Sequence, residues 1–297
     1  MPKLGLNPHI YLRDNHPENI HRAFDELALL GYDGVEFSGG YGQPWLHHPK
    51  DLKRLLDLHG LRLSTYYLYL PFLDETRATE DEEAAYRRAY WLAQVGAEDF
   101  LIDGGVPIIP RDSHKWERSV RTIADACNRI GESAHRYGVQ LAWHNHWGSC
   151  FEQEAALHRF LELTDPEWVK FCPDTAQLRL SGMDEVAIIQ RYQHRISYVH
   201  FKDIAPNWTP EVRQHLRLSA PTNAGGYDLD AQWRMIELGR GVINLPACWE
   251  ILKSADFDGW IVDDHDFTGY PAKASAAAIK RFLNEELGIV GERDART

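Results

Sequence analysis

Residues 139–147 read VQLAWHNHW, and this stretch decides the fold. Its apolar run reads as a short buried strand that stops on two histidines, His144 and His146. An amphipathic stretch over residues 114–137 precedes it and ends at Gly138, a helix-terminating residue, and a second follows over 152–163. A buried strand set between two helices is the unit of a parallel sheet, because parallel strands need crossover helices. The alternation recurs outward in both directions. Strands are expected over 4–11, 32–38, 61–70 and 99–104, with helices over 17–30, 49–59 and 79–95 between them. Downstream, strands over 169–178, 196–204 and 259–267 alternate with helices over 183–195, 245–255 and 272–287. Eight βα units in 297 residues predict a single α/β domain, a (β/α)8 barrel whose eighth strand closes on the first. A doubly wound open sheet competes, but no GxGxxG follows the first strand. The barrel is assigned to residues 1–290, and GERDART at 291–297 reads as a flexible polar tail. Residues 205–242 interrupt the rhythm with Trp208, Pro210, Gly225, Gly226, Trp233 and a Gly239–Arg240–Gly241 turn. A long insertion after the seventh strand lies on the face where barrels carry their sites.

Composition narrows the function. Lys and Arg number 32 against 44 Asp and Glu, a formal charge of −12, which argues against a nucleic-acid partner. No run of 18 apolar residues is present, so no membrane partner is expected either. The first residues, MPKLGLNPHIYLRDN, lack the apolar core of a secretory signal. Cys127, Cys150, Cys172 and Cys248 show no zinc-ribbon spacing and read as reduced thiols, which points to the cytoplasm.

Chemistry-bearing residues gather at four successive strand ends. The fifth strand ends on His144 and His146, the sixth on Asp174 with Gln177 beyond it, the seventh on His200 and Lys202, and the eighth on Asp264 and Asp266. Within a strand, residues two apart share a face. Charge at strand ends is costly unless paired or metal-bound, so imidazoles and carboxylates meeting at one barrel mouth point to a divalent metal site. Imidazoles with carboxylates suit manganese, the first choice here, or cobalt, iron or zinc, and disfavour magnesium. The chain has 15 histidines, and those outside these strand ends, including the exposed-loop pair His47–His48, are assigned to surface or structural roles.

The same residues carry a resemblance. GYDGVEF, LAWHNHWG, PDTAQL, YVHFKD, GRGVINLP and GWIVDDHD resemble, in that order and across the whole chain, the xylose-isomerase-like TIM barrels of the sugar phosphate isomerase/epimerase family. Within it the likeness is to the inosose dehydratase branch and related keto-sugar lyases, including the large subunits of C-glycoside deglycosidases. The resemblance implies one divalent metal held by His144, Asp174, His200 and Asp264. His144 and Asp264 stand where the family's epimerases carry Glu, and Gln177 where they carry His. The two Glu also move the proton in the epimerases, so their replacement argues for the dehydratase branch. The shared step is deprotonation beside a ketone followed by loss of a β-substituent.

That step assigns further roles. His146 is the expected base, because His144 is occupied as a ligand and an imidazole suits proton transfer near pH 7. Lys202 is expected to donate to a leaving oxygen or hold a substrate hydroxyl, and Glu36 to accept a sugar hydroxyl. Trp45, Tyr66, Tyr67, Tyr69, Trp147 and Trp208 fall at strand ends or βα loops, where rings stack on sugar C–H faces. The expected activity is a carbon–oxygen (or carbon–carbon) lyase acting on an inosose, keto-sugar or keto-glycoside. A ketose isomerase or epimerase is the alternative, and a non-catalytic sugar-binding barrel is a third reading. A homo-oligomer is the expected assembly, with a hetero-oligomer carrying a small partner subunit as the alternative.

Overall fold

The computed structural model describes residues 1–12, 17–40, 42–72, 77–104, 115–205, 235–266 and 268–296. Trp208, Pro210, Gly225, Gly226 and Trp233 of the expected insertion lie outside them. The strands in chain order are β1 (Lys3–Leu6), β2 (Gly34–Phe37), β3 (Arg62–Tyr66), β4 (Leu68–Leu70), β5 (Asp99–Gly104), β6 (Gln140–His144), β7 (Val169–Cys172), β8 (Tyr198–Phe201), β9 (Asp203–Ile204), β10 (Met235–Ile236) and β11 (Trp260–Asp263). One parallel sheet runs β3-β2-β1-β11-β8 and another β4-β5-β6-β7. Tyr67 alone separates β3 from β4, and its N–H donates to the Phe37 carbonyl at 2.8 Å, so the two strands are one stave that changes partner midway. Bridges Phe171↔Ile196 and Asp174↔His200 join β7 to β8. The pairings therefore return to β1, with β11 as the eighth stave.

The intervening helices follow their predicted amphipathic spans. Residues Pro49–His59 form a helix with Leu52 and Leu56 buried, and Gly60, at φ +64°, ends it by donating to Leu56 and Asp57. The two longest of the described helices, Ala78–Val95 and Trp116–His135, bury one face each against the staves. No described helix is long and apolar enough to cross a membrane.

Several expected strands overshoot the observed ones at the mouth, although 61–70 and 99–104 end where expected. Residues 169–178 do not continue as a strand, because Pro173 has no N–H and Asp174 caps a new helix, Thr175–Leu180, by accepting from the Gln177 N–H at 2.9 Å. Residues 4–11 likewise stop at Leu6, and His9–Leu12 turn helical. His146, Lys202, Asp264 and Asp266 consequently lie beyond the ends of β6, β8 and β11, so the shared-face argument for each pair is replaced by loop geometry. A small antiparallel ribbon, β9 with β10, was not foreseen. Asp203 anchors it by accepting the N–H groups of Gly239, Gly241 and Ile243 at 2.9–3.1 Å.

Two apolar clusters divide the core. The barrel interior holds Leu101, Ala142, Cys172, Tyr198, Trp260 and Val262, and the much larger cluster fills the space between staves and helices. Trp260 approaches β2 so closely that a Cβ on Gly34 would lie 2.6 Å from its ring, so only glycine fits there. The segment read as a flexible tail is tied to the bottom of the barrel through its first residues. Asp33 accepts from the N–H of Glu292 at 3.2 Å and of Arg293 at 2.6 Å, and the Arg293 guanidinium donates to the carbonyls of His59 and Gly60.

The barrel floor carries a pH-sensitive acid. Asp99 is 6% exposed and borders a cleft of about 420 Å³ with Lys3, Glu98 and Ser197. Burial pushes its carboxyl up to about 7, partly offset by Lys3. The folded state then holds a proton that the unfolded chain releases near pH 4, so stability falls as pH rises from about 4 to 7. Asp99→Asn is expected to raise stability by roughly 1–4 kcal/mol above pH 7 and to flatten that slope. Denaturant titrations at pH 5 and pH 8 measure it, and equal effects of the substitution at both would refute it.

Candidate metal centre

The barrel interior builds the site by strand alternation. Counting two residues toward the mouth from the interior positions Leu101, Ala142 and Tyr198 gives Asp103, His144 and His200 within their strands, and Asp174 and Asp264 follow Cys172 and Val262 just past the ends of β7 and β11. Asn7, Glu36 and Tyr67 complete this polar layer from the first three staves, contacting its other members directly. The sequence reading missed Asn7, Tyr67 as a polar group, and Asp103. Asp103 carried the same signal as the others, a carboxylate closing the apolar run FLIDGG.

His144, Asp174 and His200 bring their ligating atoms within 4.8 Å of one another. Asp174 spends Oδ1 on its helix cap and leaves Oδ2 buried, 3.5 Å from His144 Nε2 and 3.9 Å from His200 Nδ1. That Oδ2, His200 Nδ1 and both nitrogens of His144 are buried without a hydrogen bond. Burial raises the Asp174 pKa, but His144, Lys202 and His200 outweigh it, and the carboxyl stays below its ordinary value. His200 responds in the opposite sense: burial lowers it, yet Glu36, Asp264 and Asp174 carry it up to about 9. The pocket thus stabilises positive charge. Buried polar atoms without partners are rare in native proteins, and two imidazoles with one carboxylate are a standard donor set for a divalent transition metal. The residues fit such an ion.

Glu36 serves the cluster rather than open solvent. Its Oε2 accepts from His200 Nε2 and from the Tyr198 hydroxyl, both at 2.7 Å, and its Oε1 accepts from Asn7 Nδ2 at 3.1 Å. At 1% exposure it is committed to orienting His200 and fixing its free nitrogen as Nδ1, not to a sugar hydroxyl as the sequence suggested. Glu36→Gln is expected to weaken metal binding about 10- to 100-fold, measured by chelator competition. Undiminished affinity would make the contact incidental.

The remaining expected residues divide. His146, half-buried, points Nδ1 at the Trp147 carbonyl, 2.6 Å away, so that nitrogen carries the proton. Its Nε2 lies 3.4 Å from the Gln177 amide nitrogen, and Gln177 accepts the Trp147 N–H. The His146 ring centroid is 6.0 Å from that of His144. Lys202, 1% exposed, ion-pairs with Asp264 at 3.1 Å and Asp266 at 2.6 Å. Burial opposes the ammonium, but Asp264, Asp266 and Asp174 hold its pKa well above the ordinary lysine value, so it is a poor proton donor near neutrality. Asp264 lies outside the three-donor group, with Oδ2 3.9 Å from His200 Nδ1.

Of the aromatics, Trp45 and Tyr66 pack in the outer core around Phe37 and Trp91. Tyr67 faces the cluster, its ring edge-on to His144 at 5.4 Å and its hydroxyl donating to Asp103 at 2.8 Å. His47 and His48 are exposed, as expected of a solvated loop.

Eight parallel staves with a His–Asp–His donor set at the C-terminal mouth define a metal-competent α/β barrel. The chain belongs to the xylose isomerase-like TIM barrel family, whose family model matches residues 24–285. Inosose dehydratase of Lacticaseibacillus casei is 30% identical over 313 residues, covering 97% of this chain and 98% of its own length. Among solved structures, a probable 3-DHS dehydratase involved in petrobactin synthesis from Bacillus anthracis aligns with a TM-score of 0.74 at 17% identity, covering 95% of this chain and 99% of that one. The IOLI protein with a bound zinc atom aligns at 0.72 and 17% identity, over 96% and 98%.

Proposed function

We propose that this chain is a divalent-metal-dependent lyase that removes the proton beside the ketone of a keto-polyol of the inosose type and expels water from the β-carbon. The observation that carries the reading is the trio of buried, unpartnered donors on His144, Asp174 and His200, with the imidazole of His146 beside them. The similarity to inosose dehydratase over nearly the whole chain supports the substrate class. His144, Asp174 and His200 would hold the metal, which would supply Lewis-acid polarisation of the ketone. Manganese is the first choice, with cobalt, iron and zinc compatible with the same donors.

The chain's own groups do the rest. His146 keeps its Nδ1 proton on the Trp147 carbonyl, which leaves the Nε2 lone pair as the base. It takes the α-proton, the C–H electrons pass to the ketone oxygen as an enolate, and their return expels the β-hydroxide. The proton then on Nε2 is available to that hydroxide, giving water and an enone. Glu36 holds His200 still through the cycle. The proposal includes a small keto-polyol or keto-glycoside as partner, a cytoplasmic setting and a homo-oligomer, with a small partner subunit as the alternative.

Incubation of the metal-loaded protein with inososes and 3-keto-glucosides in D₂O tests the reading. Loss of one water, with deuterium entering beside the ketone in recovered substrate, is expected. A product that keeps every oxygen and is inverted at the exchanging carbon would assign an epimerase instead. No turnover across the panel would leave a binding barrel.

A further inference from the structure

Two groups of metal-competent donors sit side by side at the mouth, and one already contains a cation. His9, Asp264 and Asp266 bring ligating atoms within 4.8 Å of one another, as His144, Asp174 and His200 do. The ammonium of Lys202 lies among the first set, 3.1 Å from Asp264 Oδ2 and 2.6 Å from Asp266 Oδ2. Its side chain is 1% exposed and those of Asp264 and Asp266 15% and 14%, so water screens these contacts only weakly. The same Asp264 Oδ2 stands 3.9 Å from His200 Nδ1. It therefore faces both the ammonium and the nitrogen that a metal would use. An ion bound to that oxygen and to Nδ1 would lie within about 5 Å of the ammonium whatever its direction, given metal–oxygen distances near 2.1 Å. Two cations at that separation in a buried site repel strongly.

We propose that Lys202 acts as an internal cation that withholds Asp264 from the metal, leaving a three-residue centre of His144, Asp174 and His200. Lys202 is on this account a positioning residue, not a proton donor. Three protein donors leave open positions for substrate oxygens, as catalytic metal sites require. Asp266 helps to hold the ammonium in place. The inference rests on the metal-binding reading above and departs from the four-ligand set that the family resemblance implies.

Co²⁺ titration of the metal-free protein tests it, reading affinity by chelator competition and ligand set by the visible d–d band. Asp264→Ala is expected to bind Co²⁺ within about threefold of the parent with an unchanged band. Lys202→Met is expected to bind at least about tenfold more tightly, with an altered band as Asp264 enters the set. The double variant should return to the parent band. Asp266→Asn, which loosens the ammonium without removing it, should shift in the direction of Lys202→Met and serves if that variant folds poorly. A loss of about 100-fold in Asp264→Ala would overturn the proposal, as would a Lys202→Met band identical to the parent's. A parent protein that binds no Co²⁺ would instead remove the metal reading itself, a result distinct from either.

Discussion

Asp174→Asn is expected to purify folded, without metal, and with turnover lowered by about 10³–10⁵, the worth of several kcal/mol of Lewis-acid stabilisation. The two oxygens of Asp174 do different work. Oδ1 caps the Thr175–Leu180 helix, and Oδ2 is the unpartnered buried donor between His144 and His200. Asparagine keeps an acceptor for the cap and removes the charge, whereas alanine removes both. Asp174→Ala should therefore match Asp174→Asn in metal loss and be about 1 kcal/mol less stable. Elemental analysis and denaturant titration on the pair separate the two roles. An Asn variant with full metal content would show that the carboxylate is not a ligand.

His146→Gln should keep both metal and fold yet lose turnover by about 10²–10⁴, the usual worth of a positioned acid or base. Among the described residues the imidazole is held at its rim by the Trp147 carbonyl and the Gln177 amide, so its loss takes no hydrogen bond from His144, Asp174 or His200. Exchange of the substrate's α-proton with D₂O should fall in parallel. If elimination is lost while exchange persists, His146 is instead the acid for the leaving group and the base must be another group at the mouth. Unchanged rates of both processes would reduce it to a residue that merely orients its neighbours.

Much of the fold was legible because strand and helix periods are local properties. The span 49–59 matched its helix to the residue, and 99–104 matched its strand, since apolar spacing and flanking turns are written within a few residues. Strand-end residues were legible for the same reason: an apolar run that stops on His or Asp in successive βα units places those groups on one rim. The ends of strands were less so. Pro173 was a readable stop signal that the apolar run of 169–178 masked, and the change of partner at Tyr67 depends on pairing with β2 and β5, which no local pattern records.

The sequence by itself determined the barrel, the rim and the types of group on it. Only the tertiary structure decided which groups meet. Glu36 and His200 are 164 positions apart, and Lys202 and Asp264 are 62 apart. Glu36 reads in the sequence as a sugar acceptor, but the closed ring of staves puts its Oε2 against His200, and Asp264, a fourth ligand by resemblance, meets the Lys202 ammonium through the turn after β8. A buried charge takes the strongest partner within a few ångströms, and that distance is set by how strands close into a barrel, not by spacing along the chain.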